Sequence, residues 1–235
     1  MLREAGRRKD EFLAILSHEL RNPLAPIRNV SALLNLPNAQ EAQLQWARQV
    51  LQRQVIHMSR LLDDLLDVAR ITHGRLIVKK EPVSLNEVAE VAIDTIQALI
   101  DEKGHRLLVR LPEATPMLNA DPVRFAQALS NLLVNSAKYT DRGGLIELSG
   151  HIERSVLFLS VKDNGIGIPP ERIPQLFIMF SGLESTRARH QGGLGIGLAL
   201  AKEIIELHGG TIAVKSAGHG TGSEFQIRLP LLGSQ

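Results

Sequence analysis

The sequence predicts two domains: an α-helical hairpin over residues 1–74, which dimerises into a four-helix bundle, and an α/β sandwich over residues 75–235. Three observations predict this division. The length of 235 residues suits two modest domains better than one of average size. Apolar residues keep a helical spacing of three and four as far as Ile71. Beyond Gly74, short apolar runs alternate with amphipathic segments, which is typical of a sheet covered by helices.

Two long helices account for the first domain. The first runs from Arg3 to about Leu36 and ends before Pro37, and the second runs from about Ala39 to Ile71. The second helix has a heptad-like apolar seam formed by Leu51, Val55, Met58, Leu62, Leu65 and Ala69. The first helix has an apolar stripe formed by Leu13, Leu16, Leu20, Leu24 and Ile27. Both helices carry further apolar residues beside these seams, more than a single hairpin can bury. We therefore expect two copies of the chain to pair.

The second domain begins with an apolar run, RLIVKKEPVSL, that predicts a strand. The predicted helices that follow are 85–102, 122–138 and 196–208, and the predicted strands are 106–111, 145–152, 155–162, 211–217 and 223–229.

The composition excludes several classes of function. Basic and acidic residues nearly balance at 27 against 25, and aromatic residues are 3% of the chain, so we expect no nucleic-acid partner. Cysteine is absent, which excludes disulfides and thiolate metal sites and fits a cytoplasmic location. No apolar stretch has the length of a membrane helix, and the first residues lack a signal-peptide pattern, so we expect no membrane contact from this chain.

His18 is the candidate nucleophile of the first domain. At 100° per residue it lies 200° from both Leu16 and Leu20, so it points away from the apolar stripe. The carboxylate of Glu19 can accept the proton of one ring nitrogen, which leaves the other nitrogen free to attack a γ-phosphate. Asn22 lies four residues after His18 on the same face, where its amide can orient a water molecule.

A histidine followed by a glutamate is, by itself, more typical of an ordinary surface position. The full string SHELRNPLAPI, however, closely resembles the phosphoacceptor box of histidine kinases. The resemblance implies that His18 is phosphorylated, that Glu19 assists, and that Asn22 helps to dephosphorylate the partner protein.

The predicted helix at 122–138 places two amide side chains on one face. Asn131 and Asn135 are four residues apart, and neutral oxygen ligands suit Mg²⁺ when phosphates complete its coordination. Lys138 and Tyr139 extend this face toward a charge contact and an aromatic wall. Two solvated asparagines remain the more common alternative for such a pattern. The segment NLLVNSAKYT also resembles the N-box of the same family, in which the second asparagine, here Asn135, holds magnesium.

The predicted strand at 155–162 leads into the pattern D-x-G-x-G. Asp163 follows this strand, where its carboxylate can accept a hydrogen bond from the amino group of adenine. Gly165 and Gly167 would let the backbone approach a flat ring closely. Asp-Asn-Gly before two prolines is also strong turn chemistry, so a simple turn is the alternative.

A glycine-rich segment comes immediately before the predicted helix at 196–208. Free amides at a helix N-terminus favour phosphate oxygens, so this segment predicts a phosphate cradle. It matches neither the P-loop nor the dinucleotide fingerprint. The preceding stretch, from Pro174 to Gly192, predicts a lid anchored by Phe177 and Phe180. The glycines of the cradle are Gly192, Gly193, Gly195 and Gly197.

Taken in order, these motifs and the later G-T-G-S-E-F string resemble the Bergerat-type ATP-binding domain of histidine kinases, most closely those of the hybrid type. The resemblance extends from about Asp10 to Pro230 and implies ATP and Mg²⁺ as cofactors, with Asn135 as the metal ligand. Two features depart from the family pattern: Ser136 stands where alanine is more usual, and the lid has no aromatic residue. The implied nucleotide-binding residues are Asn131, Asn135, Lys138, Tyr139, Asp163, Gly165, Gly167, Phe180, Gly193, Gly195, Gly197, Leu198 and Thr221.

The resemblance implies an ATP-dependent protein histidine kinase of two-component signalling. Such a homodimer phosphorylates His18, passes the phosphoryl group to an aspartate of a response regulator receiver domain, and can act as a phosphatase of that regulator. Another ATPase with the same nucleotide fold would lack the acceptor box, and a degenerate scaffold would lack the acceptor or the magnesium ligand. A truncated or engineered chain is a further alternative, because no sensor module precedes the first helix.

Overall fold

The computed structural model describes residues 2–35, 40–113, 116–179 and 195–233. These residues form two compact units, of which the second holds Leu76–Ile178 and Gly197–Gln235. The predicted order, a helical hairpin before an α/β domain, is confirmed.

Two helices form the hairpin, α1 at Leu2–Leu34 and α2 at Glu41–Thr72. Near the turn, Val30 of α1 and Ala47 and Val50 of α2 form a buried cluster, and Leu33 and Leu51 pack against it. None of the described helices combines the length and the apolar character that a membrane-spanning segment requires.

The predicted apolar seam of α2 differs from the face that is buried. Val55, Leu62 and Ala69 of the predicted seam are exposed, whereas Leu61 and Val68 are buried. Apolar residues occupy more than one face of α2, so heptad spacing alone does not show which face lies inside the hairpin.

The second unit contains three helices and seven strands among its described residues. The helices are α3 at Leu85–Lys103, α4 at Pro122–Tyr139 and α5 at Gly197–Leu207, and a 3₁₀ helix spans Pro170–Gln175. The strands are β1 at Glu81–Ser84, β2 at Arg106–Arg110, β3 at Met117–Ala120, β4 at Leu145–Glu153, β5 at Val156–Asp163, β6 at Thr211–Lys215 and β7 at Ser223–Pro230.

Five strands form the main sheet in the order β2-β4-β5-β7-β6, in which β2 and β4 are parallel and the other neighbours antiparallel. One face of the sheet is apolar, because alternate residues such as Leu157, Leu159 and Val161 of β5 are buried. The helix α4 packs against both α3 and α5, and Phe125 and Leu129 are among its buried residues. This central position holds the polar residues of α4 close to α5 and to the end of β5.

The predicted strand over RLIVKKEPVSL is shorter in the structure. Only Glu81–Ser84 of this segment forms a strand, and it pairs antiparallel with β3, which the sequence did not predict. Ser84 then begins α3, because its hydroxyl accepts hydrogen bonds from the N–H groups of Asn86 and Glu87.

Candidate functional site

The phosphoacceptor segment lies within α1, which is helical on both sides of His18. The side chain of His18 lies outside the described residues, so its predicted orientation stays a prediction. Glu19 is buried, whereas Asn22, one turn further along, is exposed. The helix contains Pro23 and Pro26, which remove two backbone donors in this segment.

The amide of Asn131 joins α4 to α5. Its Nδ2 donates a hydrogen bond of 3.2 Å to the carbonyl oxygen of Gly197, the first residue of α5. A Cβ atom at Gly197 would lie 3.5 Å from Cγ of Asn131, so the glycine allows this close approach. The structure thus brings together two predicted site residues that are 66 positions apart.

The other predicted residues of this face are partly buried on the same helix or next to it. Asn135, Lys138 and Tyr139 follow Asn131 along α4, and Leu198 follows Gly197 in α5. Gly195 has a positive φ of 67°, and it lies outside the second unit. Phe180 and Gly193, and residues 180–192 of the predicted lid, lie outside the described residues.

Asp163 ends β5 and is 6% exposed. Its Oδ1 accepts hydrogen bonds from the N–H groups of Gly165 and Ser223, at 3.0 and 3.2 Å. Its Oδ2 accepts hydrogen bonds from the hydroxyl groups of Ser136 and Ser223, at 3.1 and 2.7 Å. One carboxylate therefore links the end of β5, the start of β7 and the helix α4.

The two glycines of D-x-G-x-G lie against protein backbone. A Cβ atom at Gly165 would come within 2.3 Å of the carbonyl oxygen of Tyr139, and one at Gly167 within 1.9 Å of that of Gly218. Protein backbone therefore occupies the space that a side chain at Gly165 or Gly167 would need, and the predicted close approach of these glycines to a flat ring stays a prediction. A role for their backbone in nucleotide binding stays a prediction.

The loop between β6 and β7 is hydrogen-bonded to the D-x-G-x-G turn. The N–H groups of Gly220 and Gly222 donate to the carbonyl oxygens of Ile166 and Gly165, at 2.6 and 3.0 Å. The hydroxyl of Thr221 donates to the carbonyl oxygen of Gly218 at 2.7 Å. The G-T-G-S string therefore packs on the turn that follows Asp163.

An open cleft of about 460 Å³ lies at this junction. It includes Asp163 and Thr221, which the sequence predicted as site residues, but neither Asn131 nor Asn135. The cleft also includes residues that the sequence analysis did not predict, among them Lys162, Ile173, Lys215, Ser216 and Glu224. Burial would raise the pKa of Glu224, but hydrogen bonds from Gln226 and Ser160 and the nearby Lys215 and Lys162 lower it overall.

A buried histidine connects the ends of α4 and α5. Nε2 of His208 accepts a 2.9 Å hydrogen bond from the N–H of Asp121, the N-cap of α4, while Nδ1 lies 2.7 Å from the carbonyl oxygen of Ile204. Burial lowers the pKa of His208. Burial alone would raise the pKa of Asp121, but the N–H groups of Lys79 and Arg124 donate to its carboxylate and lower it overall.

No role was predicted for His208, and no motif spacing identifies it, because its partner Asp121 lies 87 residues away. Among the residues that the structure describes, no group of three or more histidine, aspartate or glutamate side chains could hold a metal ion.

Two family comparisons match separate parts of the chain. Residues 8–74 match the His Kinase A (phospho-acceptor) domain, and residues 120–233 match the Histidine kinase-, DNA gyrase B-, and HSP90-like ATPase family. The chain belongs to the histidine kinase family. Within this family, the circadian input-output histidine kinase CikA of Synechococcus elongatus is 36% identical over 239 residues, covering 96% of this chain and 30% of the relative.

Solved histidine kinase structures resemble the chain over most of its length. Acinetobacter baumannii AdeS has a TM-score of 0.65 at 23% identity, covering 92% of this chain and 98% of AdeS. Full-length ShkA in complex with AMPPNP has a TM-score of 0.67 at 26% identity, covering 93% of this chain and 45% of ShkA. This histidine kinase chain spans 30%, 43% and 49% of the length of three curated relatives, so it corresponds to less than half of each.

Proposed function

We propose that this histidine kinase chain transfers the γ-phosphoryl group of ATP to His18 and then to an aspartate of a response regulator receiver domain. The support for this proposal is that one chain carries both a phosphoacceptor segment and an ATPase domain, at residues 8–74 and 120–233. The ATPase domain alone would not favour a kinase over an ATPase that releases free phosphate, and it is the phosphoacceptor segment that distinguishes the two.

The reaction needs one nucleophile, one base and one held nucleotide. The free nitrogen of His18 attacks the γ-phosphorus and forms a P–N bond, while the bond from phosphorus to the β–γ bridging oxygen breaks and ADP leaves. Glu19 accepts the proton of the other ring nitrogen. Asp163 accepts a hydrogen bond from the amino group of adenine, and Asn131 and Lys138 lie beside the phosphates.

The polar residues of α4 fit a magnesium ion held mainly by phosphate. Mg²⁺ keeps several water molecules and takes few protein ligands in nucleotide sites, and the described residues contain no carboxylate cluster that would enclose it. Asn135 is partly exposed on α4 and can supply one neutral oxygen. When bound, the ion would neutralise charge on the phosphates.

We also propose a homodimer and a phosphatase activity on the regulator. The exposed apolar residues of α2 support the dimer, and the exposure of Asn22 supports its access to a partner protein. A kinase complex with a response regulator is known for ThkA, whose structure with TrrA has a TM-score of 0.63 with this chain at 21% identity.

Phosphoryl transfer to His18 is tested by incubating the whole chain with ATP labelled at the γ-phosphate. The wild type is expected to become labelled, and the label should be acid-labile, because a phosphoramidate hydrolyses in acid. His18→Gln should lose essentially all the label while binding ATP with unchanged affinity, because the nucleotide residues are on the other domain. Addition of a receiver domain should remove the label from the wild type.

His73→Gln is the matched control, since His73 is an exposed histidine of the same domain at the C-cap of α2. This variant should be labelled like the wild type. A His18→Gln variant that keeps acid-labile label would refute the assignment of His18. A wild type that releases phosphate and never carries label would favour the alternative ATPase.

A further inference from the structure

The carboxylate of Asp163 accepts four hydrogen bonds within the protein itself. Two come from the N–H groups of Gly165 and Ser223, and two come from the hydroxyls of Ser136 and Ser223. An ionised carboxylate offers about four lone-pair positions. All of them are therefore occupied, and the amino group of adenine can donate to Asp163 only if one of these donors turns away.

The four donors differ in how easily they can leave. The N–H groups of Gly165 and Ser223 are fixed by the backbone, since Gly165 lies in the turn after β5 and Ser223 is paired with Asp163 in the β5–β7 ladder, whereas the two hydroxyls can rotate. The hydroxyl of Ser136 only needs to rotate, and at 3.1 Å it makes the longer of the two hydroxyl contacts with Oδ2. A serine hydroxyl in a helix can donate to the carbonyl four residues earlier. Ser130 of the same helix does so, with 2.8 Å to the carbonyl oxygen of Ala126.

We propose that Ser136 is a specificity-determining residue for the nucleotide base, because its hydroxyl competes with the adenine amino group for Oδ2 of Asp163. This inference rests on the proposed role of Asp163 in binding adenine. Ser136 is 1% exposed and its hydroxyl donates to Asp163 from α4, so it acts on the base through Asp163. Alanine, the more usual residue here, would leave one lone pair of Asp163 free.

The test compares the affinities of the whole chain for two nucleotides. Affinities are measured by calorimetric titration in the presence of magnesium, for ADP and for the analogue whose purine lacks the 6-amino group. Ser136→Ala is expected to bind ADP roughly fivefold to tenfold more tightly than the wild type, as loss of a competitor for one charge-assisted hydrogen bond predicts. Its affinity for the 6-deamino analogue should be unchanged.

Ser130→Ala is the matched control, because it removes a buried serine hydroxyl from the same helix without touching Asp163. It should leave both affinities unchanged. An equal gain for both nucleotides in Ser136→Ala, or a weaker affinity for ADP alone, would overturn the proposal. A wild type that binds no adenine nucleotide would instead refute the proposed function.

If Ser136→Ala does not fold, Ser223→Ala tests the same oxygen. This variant keeps the backbone N–H that donates to Oδ1 and removes the second hydroxyl on Oδ2. Ser223→Ala should show the same selective gain in affinity for ADP. An unchanged affinity for ADP would count against competition at Oδ2.

Discussion

Glycines in the D-x-G-x-G turn and in the loop between β6 and β7 let neighbouring backbone segments pack where no side chain would fit. At Gly222 a Cβ atom would lie 2.0 Å from the carbonyl oxygen of Asp163, and the residue has φ of 71°. A side chain there would therefore be strained and would also overlap the end of β5. These glycines are structural requirements of the fold whether or not a nucleotide is bound.

Gly222→Ala should destabilise the α/β unit by about 3 kcal/mol, which combines left-handed strain with overpacking against Asp163. Gly220→Ala is the matched control, because Gly220 has a similar φ of 76° but open space around its Cα. It should cost only about 1 kcal/mol. Hydrogen exchange of peptides from β5 and β7 in increasing urea measures the loss of unfolding free energy in both variants. Equal losses in the two variants would show that the overlap at Gly222 does not destabilise the fold.

Contacts of single residues also show what the sequence could not predict. The D-x-G-x-G pattern identified Asp163 and its turn, since turn chemistry is local in sequence. The hydroxyls of Ser136 and Ser223, which donate to the same carboxylate, lie 27 and 60 residues from it. Contacts of that separation depend on how α4 and β7 pack, which no short motif encodes.

At the scale of helices and strands, α4 and α5 are connected at both ends of α5. Asn131 donates to the first residue of α5, and His208, which directly follows α5, accepts from the N-cap residue Asp121 of α4. Only a neutral imidazole can accept that hydrogen bond while donating from Nδ1 to Ile204. Protonation of His208 at Nε2 would break this hydrogen bond, because the new N–H of Nε2 would face the N–H of Asp121.

We expect the α/β unit to lose stability below about pH 6.5 because of this histidine. Burial lowers the pKa of His208 in the folded chain below its ordinary value, so the unfolded chain binds more protons at acidic pH. The stabilisation is complete above the unfolded pKa and decreases as the pH falls toward the folded pKa, by at most about 1.4 kcal/mol per pH unit.

Urea unfolding between pH 5 and 8 measures this dependence. His208→Gln cannot titrate but can still accept from Asp121, so its stability should vary less over this range. His219→Gln is the control, since His219 is exposed and its Nδ1 lies 3.0 Å from the carbonyl oxygen of Ile166. A wild-type slope that persists in His208→Gln would assign the pH dependence to another group.

The short strand pair β1–β3 shows that apolar spacing does not predict every strand. Helices and long strands were predicted close to their observed positions, because each shows several repeats of its own apolar spacing. Each strand of this pair has four residues, too few to establish an alternation, and the pairing joins residues about 35 positions apart. Local periodicity therefore does not predict this pairing.

On the scale of the whole molecule, the hairpin exposes an apolar stripe that a single chain does not cover. Val55, Leu62 and Leu66 of α2 are 58%, 49% and 55% exposed. At 100° per residue these three positions lie within about 40° of one another. The stripe coincides in part with the heptad seam that the sequence predicted, which suggests that the seam belongs to contacts between two copies.

Leu62→Glu should therefore weaken self-association of the chain about 100-fold or more. A two-fold symmetric interface would contain each substitution twice, and each loses the burial of a leucine side chain, worth roughly 1.5–3 kcal/mol. Arg53→Glu is the matched control, because it introduces the same acidic side chain at an exposed position about 160° around the helix from Val55. Sedimentation equilibrium of the two variants and the wild type gives the dissociation constants. A Leu62→Glu chain as tightly dimeric as the wild type would place the interface on another face of the hairpin.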